Sequence, residues 1–521
     1  MHMSPLTIVL ILFSLTTALS LGAVKLKIPY PTAMVIAGLL IGITIFLFPN
    51  LSYLAIRLDP TILFSAILPP LLYAAAWTTS WNSFRDNLRP IMMLAIGCVL
   101  FTTLGIAAIT TAMIPVFTWP LGFLLGAIVS PPDAVAATAV TSTLRIPKRI
   151  VTILDGESLI NDASALVVFK FALAAAAGGA FSLSGALLQF PIVALGGCLI
   201  GAAIAWIMHQ IHERIEQPLI ETAMTLLTPY AAYLLAEELH TSGVLAVVTC
   251  GLILSRHSSH LFSPQTRITA VSLWNVLTFV LNGLVFILIG LQLPHILHSL
   301  QTSTSASILY AAAVCGALVA LRLLWVFPGT YLVRLIPAIR KKDPAPPWQQ
   351  TFLVGWVGMR GVVSLAAALA LPEKLPDGSD FPGRDLILFI TFAVILVTLV
   401  LQSLTLPSLI KALKIEAPDN DRCEESEARK RAMTAALAIV NAQPDSHATL
   451  MLRNLYQHRL QHLADCTLQK ETIDPEHALH RQTLKAQRKT LVDLRDKSQI
   501  SDELLRKLER ELDLEESQIP D

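Results

Sequence analysis

GAIVSPPDAVAATAV, residues 126–140, is followed after a short basic linker by LDGESLINDASALVVF, residues 154–169. Both runs are largely apolar, yet they hold Asp133, Asp155, Glu157 and Asp162 within 30 residues. In the first, Pro131 and Pro132 remove two consecutive backbone donors and leave carbonyls without helical partners. Inside a membrane such a break is tolerated only where it lines protein or a water-filled cavity, and broken helices there supply carbonyl oxygens to cations. In the second, Glu157 and Asn161 are four apart, as are Ser158 and Asp162, so the four share one polar stripe of a helix. Their oxygens are of the kind hard cations prefer. A helix N-cap accounts for Asp155, whereas Asn161 and Asp162 lie further in and require another role.

The rest of the sequence places these runs in a membrane. Of 521 residues, 54% are hydrophobic and 14% charged, with a mean hydropathy of +0.62; an ordinary soluble domain carries roughly 25% charged residues. Residues 416–521 hold 16 Lys+Arg and 21 Asp+Glu, leaving 22 and 16 for residues 1–415. The formal net charge of +1 is therefore the sum of a basic apolar part and an acidic tail, and supports no nucleic-acid partner. Thirteen stretches approach the approximately 20 residues a bilayer crossing needs: 5–24, 31–49, 60–78, 90–115, 118–141, 150–177, 186–208, 218–236, 241–255, 270–293, 305–336, 350–371 and 385–413. The first is read as a span rather than a signal peptide, since no basic segment precedes it and many similar segments follow.

Basic residues in the loops test this count. Loops after odd-numbered spans hold Lys25, Lys27, Arg85, Arg89, Arg145, Lys148, Arg149, Arg214, Arg256, Arg267, Arg334, Arg340, Lys341 and Lys342; loops after even-numbered spans hold Arg57, Lys374 and Arg384. Lys and Arg accumulate on the cytoplasmic side. The asymmetry predicts a multi-pass protein of the plasma membrane with its N-terminus outside and its C-terminus in the cytoplasm.

An ionised side chain at the bilayer centre costs at least roughly 2.5–3.5 kcal/mol, so charges inside spans are functional candidates. Away from their ends, the spans contain, besides the four acids, Lys170, Arg322 and Arg360. A buried Glu157 needs a cationic partner, and Arg322 and Arg360 are both candidates; a pair with either would tie two helices and leave Asp162 to titrate. Arg360 lies in GWVGMRGVVS, 355–364, whose glycines permit close packing or a second interrupted helix. The six cysteines show no CxxC spacing and read as small apolar residues. HSSH, 257–260, has a metal-like spacing without a third ligand in view.

SPPDAVAATAV, the Asp of GESLINDASALVVF 29 positions after Asp133, and GMRG at 358–361 together resemble the monovalent cation/proton antiporter-1 family, which comprises bacterial Na+/H+ antiporters and animal Na+/H+ exchangers. The resemblance implies an all-α polytopic membrane protein of about thirteen transmembrane helices in two inverted six-helix repeats, the fifth and twelfth crossing as broken helices. It implies a core of spans 90–178 and 305–413, dimerisation spans 5–78 and 218–293, a transport domain 1–415, a cytoplasmic helical tail 416–521, and a homodimer. Asp162 then matches the aspartate that binds cation and proton in turn, and Asn161 the asparagine beside it. Ser158 matches a side-chain ligand of the Na+, Pro132 a carbonyl donor, and Asp133 an acid that holds a coordinating water. Glu157 matches a glutamate paired with an arginine of the eleventh span, here Arg322, while Arg360 falls in the second broken-helix motif. The chain departs from relatives in having Ala74 where an acid often follows LPP, and Pro132 where some relatives offer a hydroxyl.

The implied activity is exchange of Na+, or Li+ or K+, for H+, electroneutral at 1:1 because Asn161 is not ionisable, by alternating access. No cofactor is called for. The alternative from another class is a gated monovalent cation channel lined by the same oxygens; its expected signature, a short repeated filter, is not present in the sequence. HExxH, GxSxG and P-loop motifs are also lacking, so an enzyme is not expected. The tail alternates charged residues with Leu and Ala at helical spacing, which predicts two to four amphipathic helices. These either pack on themselves or contact the transport domain, with His458, His462, His477 and His480 as candidate pH sensors.

Overall fold

The computed structural model describes residues 5–26, 28–48, 59–133, 137–138, 146–178, 183–215, 217–300, 302–375, 378–415, 420–444, 446–465, 475–497, 499 and 502–516. Lys27, Arg57, Arg145, Cys466 and the 134–136 and 139–141 parts of the fifth expected span lie outside them, as do the side chains of His260, Lys342, Cys423, His462 and His477. Among the described residues the structure is helical, apart from an isolated antiparallel bridge between Lys374 and Asp380.

The apolar part runs α1 (Pro5–Leu26), α2 (Tyr30–Leu47), α3 (Pro60–Thr78), α4 (Leu88–Met113), α5 (Trp119–Val129), α6 (Lys148–Ala176), α7 (Leu183–His212), α8 (Pro218–Glu238), α9 (Gly243–Leu261), α10 (Pro264–Leu291), α11 (Thr304–Tyr331), α12 (Trp348–Trp356), α13 (Val362–Leu369) and α14 (Arg384–Ala412). Nine helices among the described residues are long and apolar enough to cross a membrane. The fifth expected span leaves the helix after Val129 and is helical again at Ala137 and Thr138, and the twelfth divides into α12 and α13. The short ninth span is a longer helix than expected, reaching Leu261.

Local chemistry sets the helix ends. Ser242 and Ser263 accept from the amides of Leu245 and Thr266 at the starts of α9 and α10, at 3.2 and 3.1 Å. Prolines open α3, α5, α8 and α10, where a missing N–H costs no helical bond. Hydroxyls within the spans bond back to their own helix, as Thr110 does to the Ile106 carbonyl at 2.7 Å, which satisfies them without water. π-helical turns interrupt α3, α4 and α14 at Leu63–Ile67, Met93–Cys98 and Thr398–Gln402.

Small residues let backbones meet. A Cβ at Gly38 would run into the Ile287 carbonyl, so α2 and α10 pack backbone to backbone. One apolar cluster joins Val35, Leu124, Phe286, Leu318 and Ile390; a second joins Tyr73, Ala205, Ala232 and Val247. Leu199, Leu219 and Trp206 are 71%, 79% and 65% exposed, an apolar surface suited to lipid rather than water. Near the start of α6, one carboxylate gathers three arginines: Asp343 takes Arg89, Arg149 and Arg334 at 2.8, 2.6 and 2.6 Å.

The chain forms two compact units, Met1–Ala417 and Pro418–Asp521. The second contains α15 (Asn420–Asn441), α16 (His447–Asp465), α17 (Pro475–Asp496) and α18 (Asp502–Glu516), packed as α15 on α16 and α17 on α18. Leu484 and Leu512 are buried between the latter two, and Arg488 reaches Asp513 and Glu516 at 2.5 and 2.8 Å. His480 reaches Glu515 at 3.1 Å.

Candidate functional site

α5 ends at Val129, with Ser130 capping it just before the Pro131–Pro132 pair, and the chain is non-helical through Asp133. Two carbonyls are left open by the break, and Arg360 supplies their donors: its Nε reaches the Val129 oxygen at 2.9 Å and its Nη2 the Ser130 oxygen at 3.4 Å. A cation over the last carbonyls of a helix also opposes the helix dipole. Arg360 stands in the break between α12 and α13, where its own amide donates to Thr398 Oγ1 at 3.1 Å. A backbone bond from Asp133 N to Met359 O, 2.6 Å, joins the two breaks directly. Gly361 makes room at this crossing, because a Cβ there would meet the Asp133 carboxylate, which would have to move.

α6 passes beside the crossing. Asn161, fully buried, donates its Nδ2 to the Pro132 carbonyl at 2.8 Å, while its Oδ1 is buried without a hydrogen-bond partner. Pro132 O, expected as a ligand, accepts from Asn161 with one of its two lone pairs. Asp162, the next residue, is 7% exposed and lines a cavity of about 350 Å³ together with Ser158, Asp155, Pro131, Pro132 and Asp133. Ala74 lies in the same wall. No basic side chain lines this cavity among the described residues.

Glu157 faces away from the cavity and takes both guanidinium nitrogens of Arg322, at 2.6 and 2.8 Å; the two side chains are 1% and 2% exposed. Arg322 also donates to the Val354 carbonyl at 3.2 Å, so the pair links α6, α11 and α12. This bidentate geometry is what a buried ion pair needs if attraction is to offset desolvation. Lys170 lies at the end of α6 and approaches Glu237 at 3.6 Å.

Asp155 is not an N-cap. α6 begins at Lys148, so Asp155 is well inside it and accepts from Thr138 Oγ1 at 2.8 Å. The HSSH run gives no metal centre among the described residues: no three His, Cys, Asp or Glu gather there, and His257 Nδ1 pairs with the Ile253 carbonyl at 2.8 Å. Sequence reasoning leaves out the opposite wall of the cavity, formed by Tyr30 of α2 and Asn275, Thr278 and Asn282 of α10. The signal was present in α10, where these three polar residues recur on one helical face of an apolar span.

Three carboxylates, the Ser158 hydroxyl and a proline carbonyl around one cavity, with no basic side chain in its walls among the described residues, can hold a proton or a small cation. The Glu157–Arg322 pair and Arg360 hold the frame without entering that space.

The family model described as sodium/hydrogen exchanger, transmembrane, matches residues 9–412. An uncharacterized Na+/H+ exchanger of Mycobacterium tuberculosis is 33% identical over 98% of this chain and 96% of its own. A sodium, potassium, lithium and rubidium/H+ antiporter of Bacillus subtilis is 32% identical over 91% of this chain and 72% of its own. Among solved structures, the sodium proton antiporter MjNhaP1 of Methanocaldococcus jannaschii superposes with a TM-score of 0.61 at 22% identity, covering 80% of this chain and all of that one, a likeness of fold.

Proposed function

The chain belongs to the transmembrane sodium/hydrogen exchanger family, and from that premise we propose that it is a secondary active antiporter in which Na+ and H+ compete for Asp162. The observation that carries this reading is the placement of Asp162: a nearly buried carboxylate on α6, open to a cavity shared with Ser158 and Asp133, beside two helix breaks. Ser158 Oγ and the Asp162 carboxylate ligate the partly dehydrated cation. Asp133 holds a water on it, and Pro132 contributes through the carbonyl that positions Asn161. Either ion neutralises Asp162, and only the neutralised core crosses, which gives alternating access and tight coupling. With Asn161 unable to ionise, one charge moves each way and exchange is electroneutral at 1:1.

The same reading assigns thirteen crossings in two inverted six-helix repeats, with 90–178 and 305–413 as the moving core and 5–78 and 218–293 as the dimerisation domain. The N-terminus lies outside and the tail 416–521 in the cytoplasm of a plasma-membrane homodimer; the loop arginines and lysines support this orientation. Ala74 in the cavity wall removes one oxygen that relatives often supply there, and the breadth of ions in the name of the Bacillus subtilis relative supports testing Li+ and K+ beside Na+. Membership in a family of exchangers weighs against a gated cation channel.

The deciding experiment measures H+ movement in proteoliposomes against imposed Na+, Li+ and K+ gradients. The wild-type chain should exchange at least Na+, and Asp162→Ala should abolish exchange. Flux surviving in Asp162→Ala, or unitary currents in a bilayer, would sink the antiporter reading.

A further inference from the structure

A second cavity, of about 70 Å³, opens beside the start of α6, remote in composition from the ion site: Arg89, Arg149 and Arg334 line it, with Thr330, Gln350 and Thr351. Every polar side chain in that wall is a hydrogen-bond donor or can act as one. Asp343, which binds all three arginines, is not part of the wall, and among the described residues no other carboxylate is. Three guanidiniums against one carboxylate leave a formal surplus of two positive charges. Arg334 is 7% exposed, and Arg89 Nε is buried without a hydrogen-bond partner. Positive charge left in a partly desolvated wall is costly unless an anion completes it.

The remaining bonds fix the arginines in place. Arg149 Nε donates to Asn87 Oδ1 at 2.9 Å, and Arg334 Nε donates to the Asp343 carbonyl at 3.1 Å. Guanidiniums held in this way present preset forks, which suit the oxygens of a tetrahedral oxyanion. One water needs roughly 10–15 Å³ of such space, so the cavity has room for a single phosphate group. Met93, Ile153 and Trp325 complete the wall with apolar surface. Arginines beside apolar side chains fit a phosphate attached to a lipid.

We propose that this cavity binds a phosphate group at the cytoplasmic end of the transport domain, carried by an anionic phospholipid of the inner leaflet or by free phosphate. The placement at the cytoplasmic end rests on the orientation proposed above; the binding itself does not. Occupancy bears on transport through α12. Gln350, Thr351 and Val354 of that helix line the cavity, and the Val354 carbonyl receives Arg322, the partner of Glu157. A phosphate drawn between α4, α6, α11 and α12 would stiffen the frame around Asp162.

The test uses the purified full-length protein. Binding of radiolabelled inorganic phosphate is measured in detergent, and lipid binding is measured by native mass spectrometry after exposure to vesicles of phosphatidylcholine with or without phosphatidylglycerol. Two variants are compared: Arg149→Gln removes a donor, and Gln350→Glu adds an acid to the wall without touching a bond to Asp343. Phosphatidylglycerol retained by the wild type and at least tenfold weaker in both variants supports the proposal and identifies a lipid. Inorganic phosphate bound with the same loss, without lipid selectivity, supports the soluble source. Binding of neither probe overturns the proposal, as does binding unchanged in Gln350→Glu. A monodisperse size-exclusion profile and a wild-type melting temperature of Gln350→Glu in detergent report that the variant is folded.

Discussion

Asn161 Nδ2 donates to the Pro132 carbonyl at 2.8 Å, so the residue beside the proposed ion-binding acid is held by the helix break on the neighbouring segment. The bond fixes the direction in which α6 presents Asp162, and an amide performs this service without adding a charge.

Replacing that amide by a carboxylate removes the donor and introduces a second acid. Asn161→Asp should therefore shift exchange from electroneutral toward electrogenic, because two ionisable groups then share the crossing. A membrane potential imposed on proteoliposomes should alter its Na+/H+ flux while leaving wild-type flux unaffected. Asn161→Ala, which only removes the bond, should lower flux about tenfold or more with no such voltage dependence.

Glu157 and Arg322 are each almost completely buried, so removing one leaves the other unpaired in a medium that solvates it poorly. Glu157→Gln or Arg322→Gln should each cost about 3–5 kcal/mol of stability. The double variant should cost less than the sum of the two. Thermal unfolding in detergent, run as a double-mutant cycle, measures the coupling; additive losses would show that the pair acts independently.

At Gly361 the constraint is steric. Gly361→Ala places a methyl on the Asp133 carboxylate, so transport should fall about tenfold, equivalent to roughly 1.4 kcal/mol on the barrier. The cause is identified by epistasis: Asp133→Ala/Gly361→Ala should transport no worse than Asp133→Ala alone.

Asp343 offers a pH test outside the spans. Burial works to raise its carboxyl, but hydrogen bonds from Arg149 and Arg334 and their charges outweigh it and hold the group below the ordinary carboxylate value. A carboxyl lowered in the folded state stabilises at pH values above its unfolded value, about 3.9, and that contribution is lost as pH falls through the folded value. Asp343→Asn should therefore lower the melting temperature at neutral pH, by an amount equivalent to roughly 1.5–3 kcal/mol for a charged hydrogen-bonded group. The gap from wild type should close as the pH drops below the ordinary carboxylate range. A gap independent of pH would show that charge is not the cause.

How far the sequence discloses this arrangement depends on the type of relation. Ser158, Asn161 and Asp162 are legible because they lie on one helix, where spacing alone gives a shared face, and Pro131–Pro132 is legible because proline chemistry forces a break. Relations between distant spans are not encoded in spacing. Side-chain type leaves Glu157 with two candidate arginines, and only the family pattern singles out Arg322. Tyr30 reaches the cavity from a helix far away in the chain, and Asn275, Thr278 and Asn282 mark a polar face of α10 without telling what that face meets. The gathering of Arg89, Arg149 and Arg334 on Asp343 is hidden for the same reason: in the sequence each is one more loop charge.

Arg360 fills the carbonyls that the Pro131–Pro132 break leaves open, yet it lies 231 positions from Val129, the first residue it reaches. Neither half of the chain is therefore self-sufficient in the bilayer. A fragment ending before α11 would leave the Val129 and Ser130 oxygens without this donor, and one beginning there would carry a guanidinium without these acceptors. Insertion of the early helices during synthesis then leaves two carbonyls that gain this donor only when the last third of the chain arrives.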